Sequence, residues 1–295
     1  MNKKFLLIAA SFLIVSCHLF AQDFSDVTIE EVEVTPTIFY LKGRGGNVGL
    51  LSWRGGNLII DSQFKPLGDK LKAKINEISD DPTKYLINTH FHGDHLGGNA
   101  NWSADGVSII AHENVRTRVQ MNFRNEILKR DVQAQPEEVW PVITFSENMS
   151  LYVGEEQLNI VFVPTAHTDG DAIIQFATSN VIHAGDVFVR YGYPFIDVSA
   201  GGSIDGIIAG LDKVIELSDA ETKIIPGHGE LATKKDVEDL KMVLIDSRNI
   251  ISKLKKKGKS LDEVLTLKPL AKYDSEYSGS FISGQIFIQL VYESL

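Results

Sequence analysis

Along most of the chain, apolar residues come in short runs that end at glycine, proline, asparagine or aspartate. Residues 27–34 partly alternate, 37–41 follow, and the glycine-rich stretch 43–46 breaks the pattern. Residues 47–53 and 58–60 then flank Arg54-Gly55-Gly56-Asn57, a hairpin signal with glycines where a tight turn needs positive φ. Asp61 ends the second of these strands. The period changes at residues 66–79, where Leu67, Leu71, Ile75 and Ile78 recur at helical spacing. A buried strand at 85–87, a strand at 107–111 and a helix at 113–125 follow. The second half repeats this order, with strands at 158–163, 172–176, 181–184 and 223–225. Between the last two, Ser203 is placed to cap a helix whose apolar face is Ile204, Ile207, Ile208, Leu211, Val214 and Ile215. The rest is helical: one long helix over 233–257, another opened by the capping box Ser260-Leu261-Asp262-Glu263, and a last one within 281–295. With no repeat and no long linker, the pattern predicts one α/β domain over residues 22–232. A helical C-terminal extension, 233–295, would pack on the same domain.

The first 21 residues do not fit that pattern. Lys3 and Lys4 precede an apolar run at 5–15 that is too short to span a bilayer. This is a targeting segment with two competing processing sites. Leu19-Phe20-Ala21 suits a signal-peptidase cut before Gln22, whereas Ile14-Val15-Ser16-Cys17 resembles a lipobox that would leave a lipid anchor on Cys17. Either way the body is expected to be exported, periplasmic or secreted, without a membrane span. Cys17 is the only cysteine, so the body has no disulfide and no thiolate ligand. Losing residues 1–21 removes two lysines and no acid, which moves the net charge from −10 to −12. So acidic a body is a poor partner for phosphate backbones, and a small molecule is the expected partner rather than nucleic acid.

Three of the eight histidines fall within six residues, in His90-Phe91-His92-Gly93-Asp94-His95, just after a strand. In an irregular loop His90 and His92 can converge on one ion while Asp94 and His95 turn toward a second. Imidazole and carboxylate donors together suit zinc. His167, Asp186 and His228 stand at later strand ends, each beside a glycine or proline turn. His112 and His183 read as structural histidines. Arg190, Tyr191, Tyr193 and Phe195 follow Asp186 closely and are candidates for a substrate pocket, Arg190 and Tyr193 foremost.

His90-Phe91-His92-Gly93-Asp94-His95 resembles the HxHxDH signature of the metallo-β-lactamase superfamily. Asp61, His167, Asp186 and His228 match the family's other motifs in the family's order, so the resemblance covers residues 27–231. It implies an αββα sandwich of two mixed sheets flanked by helices, with two metals at one edge. It also implies ligand roles. The first metal would take His90, His92 and His167. The second would take Asp94, His95 and His228. Asp186 would bridge them, and Asp61 would hold the histidine loop from behind. Two zinc ions are the expected cofactors, with iron or manganese as alternatives. A metal-bound hydroxide would attack a carbonyl, with Asp94 orienting the nucleophile or relaying a proton.

Substrate is a separate question, because one fold hosts many chemistries. Export points away from cytosolic thioesters and RNA processing. Asp186 stands where one group of β-lactamases has a cysteine, and Val189 where that group has a lysine for the drug's carboxylate. Arg190 is one place further on and is the candidate substitute clamp. The leading expectation is hydrolysis of a β-lactam or lactone ring. The alternatives are a thioesterase or phosphodiesterase of the same fold, a mononuclear iron enzyme resembling the persulfide dioxygenases, and a non-catalytic metal binder. The iron enzymes need two histidines and an aspartate, so an intact second ligand group argues against them.

Overall fold

In a computed structural model, which describes residues 23–279 and 281–295, the chain folds into four layers. The targeting segment and Cys17 lie outside the described residues. Strands β1 (Glu30–Thr35), β2 (Ile38–Lys42), β3 (Val48–Trp53) and β4 (Gly56–Ile60) form an antiparallel meander. β5 (Thr83–Ile87), β6 (Ser108–His112) and β9 (Ile143–Phe145) extend it in parallel to seven strands. Parallel pairing needs crossovers. These are helix α1 (Gly68–Ile78), the short helices α2 (Gly93–Leu96) and α3 (Asn99–Ser103), and α4 (Glu113–Val119). The second sheet runs β10 (Met149–Val153), β11 (Glu156–Val163), β12 (Asp171–Phe176), β13 (Val181–His183) and β14 (Lys223–Ile225). It is antiparallel except for the last pair.

Both faces of each sheet are covered, which is why Leu50-Leu51 in β3, Leu58-Ile59-Ile60 in β4 and Leu86-Ile87 in β5 are unbroken apolar runs rather than alternations. Leu51, Leu58, Ile60 and Ile87 face Leu158, Ile160, Ile174 and Phe176 between the sheets. Leu50, Ile59 and Leu86 face Leu71, Ile75 and Trp102 on the outside. On the far side, Ile173, Ile182 and Ile224 pack under α5 (Ile204–Glu216), α6 (Lys234–Lys256), α7 (Leu261–Leu267) and α8 (Gly284–Ser294). Ser203 caps α5 by accepting from the Gly206 N–H at 3.0 Å. Residues 233–295 thus share a core cluster with the second sheet. No helix among the described residues is long and apolar enough to cross a membrane.

One expected element is different. The helix expected over 113–125 stops at Val119, after Val115 and Val119 have used the buried face. Asn122 instead accepts from the Ala134 N–H, and the chain forms a hairpin of β7 (Phe123–Asn125) and β8 (Arg130–Val132). Phe123 rests against Phe91, with ring centroids 5.5 Å apart. That contact brings the hairpin beside the histidine loop.

Candidate metal centre

The histidine loop leaves β5 and turns into α2, which carries Asp94 and His95. His167 follows β11, Asp186 lies in the 3-10 turn Gly185–Val187 after β13, and His228 follows β14. These strand ends share one edge of the sandwich, so residues distant in sequence converge there. Three overlapping groups form: His90, His92 and His167; His90, His95 and Asp186; and Asp94, His95 and His228. Within each group the ligand atoms lie within 4.8 Å of one another. Asp186 reaches both sides. Its Oδ2 is 3.6 Å from His167 Nε2, and its Oδ1 is 3.2 Å from His95 Nε2 and 3.6 Å from His228 Nε2. Asp94 Oδ2 lies 3.3 Å from His228 Nε2. Backbone without side chains lets these groups close up: a Cβ at Gly227 would lie 2.0 Å from Asp186 Oδ1, and one at Gly46 would lie 2.1 Å from the His95 ring.

The donor set fits divalent cations. Among the described residues, His90 Nε2 and Asp186 Oδ1 are buried without a hydrogen-bond partner. An unmet buried polar atom costs about 1–3 kcal/mol, and a cation between the histidines would satisfy both. The charges agree. Burial drives the His90 ring well below its ordinary pKa and lowers that of His167 to about 4, which keeps both as neutral donors. Burial opposes charge on His228 and His95 too. There the carboxylates outweigh it, with Asp186 first for both, then Asp94 at His228 and Asp61 and Asp94 at His95. His228 is raised to about 9, and His95 well above its usual value. Asp186 and Asp94 stay below the carboxylate range: burial pushes both up, but His228 and His95 outweigh it. The second group thus holds negative charge that protons or metal must balance.

A second ring of contacts aims the histidines. Asp61 sits at φ 66°, an uncommon backbone region for a non-glycine residue. From there Oδ1 accepts from the Thr89 N–H at 2.8 Å, and Oδ2 lies 2.7 Å from Thr89 Oγ1 and 2.8 Å from His95 Nδ1. Thr89 Oγ1 is 3.0 Å from His90 Nδ1. His90 and His95 are therefore held from the Nδ1 side with Nε2 facing the cluster. His167 Nδ1 lies 2.8 Å from the Phe195 carbonyl, so its Nε2 also faces inward. His92 is reversed: Nδ1 is 2.8 Å from His167 Nε2, and Nε2 is 3.0 Å from Asp197 Oδ2. Burial pushes Asp197 up, but the bond to His92 holds it below the ordinary range. Asp197 was not singled out by sequence. His112 and His183 stay outside the cluster: one stacks on Phe162 at 3.8 Å, and the other lies 3.2 Å from the Asn47 carbonyl.

A cleft of about 620 Å³ opens on the cluster, walled by Phe91, Leu128, Tyr191, Phe195 and Phe281 among others. Tyr191 and Phe195 stand where expected. Arg190 and Tyr193 do not. Arg190 turns away from the cleft to donate to the Leu231 carbonyl at 2.6 Å and to Asp236 Oδ1 at 3.2 Å, pinning its loop to the start of α6. Tyr193 is fully buried, stacked on Phe287 at 4.3 Å and bonded to Asp274 at 3.2 Å. The segment after Asp186 is a run of bends with Gly192 at φ 121°, not a strand, so closeness to Asp186 along the chain does not decide which side chains face the cleft. Arg190→Ala should therefore leave KM unchanged. It should lower stability by about 1–2 kcal/mol through the lost charged hydrogen bonds, read by denaturant unfolding.

The model of the metallo-beta-lactamase superfamily matches residues 41–228. The chain belongs to the metallo-beta-lactamase superfamily. Solved members of the fold agree, at identities that show the fold alone. A metallo-beta-lactamase from Pontibacter korlensis superposes with a TM-score of 0.61 at 16% identity, covering 74% of this chain and 99% of that one. DIM-1 metallo-beta-lactamase gives 0.61 at 15%, covering 75% and 100%. The inverting sec-alkylsulfatase Pisa1 from a Pseudomonas species gives 0.65 at 16%, covering 90% of this chain, which spans half the sulfatase's length. No curated protein sequence matches at a significant level. Superfamily membership and the His/Asp groups together fit a metal-dependent hydrolase.

Proposed function

We propose that the chain is an exported dinuclear zinc hydrolase that opens a β-lactam or lactone ring. The observation that carries this is Asp186, set between two complete ligand groups with one oxygen toward each. His90, His92 and His167 would hold the first ion and Asp94, His95 and His228 the second. When bound, such ions lower the pKa of a coordinated water to about 7 and polarise a carbonyl. Asp186 separates and screens the two positions. Asp94 is the more open carboxylate, with 29% of its side chain exposed against 7% for Asp186, so it orients the attacking water and passes its proton on. Phe195 packs against His92 and His167, and Tyr191 against His228, which covers those rings on the cleft side. The second group, Asp94, His95 and His228, favours this reading over a single-iron oxygenase.

With Arg190 turned away and Arg118 paired to Asp169 at 2.7 Å, much of the cleft wall is apolar. A ring bearing an apolar substituent fits that wall, and a substrate carboxylate would meet Arg44 or Arg130, which also line the cleft, rather than Arg190. The purified chain is expected to hydrolyse a lactone or β-lactam of that kind, and a chelator or His92→Ala should abolish the activity. Assays should run in parallel on lactone, β-lactam, thioester, phosphodiester and sulfate ester. Efficient turnover of only the last three would sink the substrate claim and leave the metal reading in place.

A further inference from the structure

His92 and the β7–β8 hairpin are joined through one buried carboxylate. Asp197 is 2% exposed and lies in the loop between Tyr193 and α5. Its Oδ2 accepts from His92 Nε2 at 3.0 Å. Its Oδ1 accepts from Asn125 Nδ2 at 2.9 Å and from Ser199 Oγ at 2.5 Å. Asn125 ends β7 and is itself buried. Its Oδ1 accepts from the Leu128 N–H at 2.9 Å, so the amide is held at both ends and shapes the turn of the hairpin. Leu128, Arg130 and Val132 of that hairpin line the cleft.

We propose that Asp197 and Asn125 form a linkage that fixes His92 at the metal cluster and ties it to the hairpin that walls the substrate cleft. Asp197 is a positioning residue. By accepting the Nε2 proton it selects the tautomer of His92 whose Nδ1 lone pair faces His90 and His167. A histidine that donates its other N–H to a carboxylate is a fixed and more basic ligand. Asn125 carries the same constraint outward. A displaced hairpin pulls Asn125 off Asp197 and frees the carboxylate to move with His92. Coupling between sites is reciprocal, so filling the first metal position also steadies the hairpin. The linkage rests on reading the cluster as a metal centre.

The test is a zinc titration against a chromogenic chelator, on the full chain and on Asp197→Asn. An amide in that place can accept from His92 only by presenting its NH2 to the donors of Asn125 and Ser199. The first zinc position should weaken by about 10–100-fold, the usual range for losing such a partner, with the second position as internal control. Circular dichroism checks that the variant folds. Should it not fold, limited trypsin digestion of the wild type and of Asn125→Ala carries the test. Cleavage after Lys129 and Arg130 should speed up when zinc is stripped from the wild type, and should be fast with or without zinc in Asn125→Ala. If the wild type takes up no zinc, the metal reading falls and the linkage with it. If it takes up two ions, the linkage alone is overturned by an Asp197→Asn titration that matches the wild type. Wild-type cleavage indifferent to zinc would overturn it equally.

Discussion

Asp186→Ala should strip both metal positions, whereas His228→Ala should empty only the second. Asp186 is the residue with an oxygen toward each ligand group, 3.6 Å from His167 on one side and 3.2 Å from His95 on the other. Within the cluster, His228 faces Asp94, His95 and Asp186, and none of the first ligand group. Losing a direct ligand should cost more than the roughly 100-fold that an outer partner can cost. In Asp186→Ala the loss extends further, because two nearby dications no longer have a carboxylate to screen them. Metal stoichiometry after desalting checks this, with hydrolysis as a second readout. Asp186→Ala should hold neither ion tightly and His228→Ala one. Identical losses in the two variants would show that the ligands are not divided as proposed.

The two metal positions should differ sharply in pH dependence. In the metal-free chain at neutral pH, His90 and His167 are already neutral, because burial lowers both. His228, raised to about 9, and His95, raised well above its usual value, each carry a proton that an incoming ion must displace. A raised pKa means that protons compete until pH exceeds it. Affinity at the second position should therefore rise with pH through the neutral range, by about tenfold per unit for each proton displaced and thus about 100-fold for two. The first position should change far less. Isothermal titration in buffers of different ionisation enthalpy counts the protons released: about two on filling the second position and close to none from His90 and His167. Parallel pH profiles, or a steeper one at the first position, would contradict this account.

The parts of the site that were legible in sequence are those written locally. Four donors within six residues, from His90 to His95, need no tertiary information to stand out. His167, Asp186 and His228 are marked by the turns that end their strands. Asp197 carries no such mark. It lies 105 residues from His92, in a loop without a motif, and only the folded chain brings the two together. The same limit explains Arg190 and Tyr193. Their distance from Asp186 along the chain was visible, but which way each side chain leaves the loop is set by Leu231, Asp236 and Phe287 far downstream. Strand runs alternating with amphipathic helices made one α/β domain legible, whereas its αββα layering came only from the resemblance carried by the histidine motif. The β7–β8 hairpin did not, because Val115 and Val119 begin a helical period that the chain abandons at Asn122. The three-residue strands at its edges are too short to show a period of two.

In the proposed centre, two metal ions are held through His90, His92, Asp94, His95, His167, Asp186 and His228. Elemental analysis of chain purified with zinc supplied, after exhaustive desalting, tests it most directly. Two zinc ions per chain are expected. A single tightly held iron with no second metal, or no retained metal at all, would contradict it.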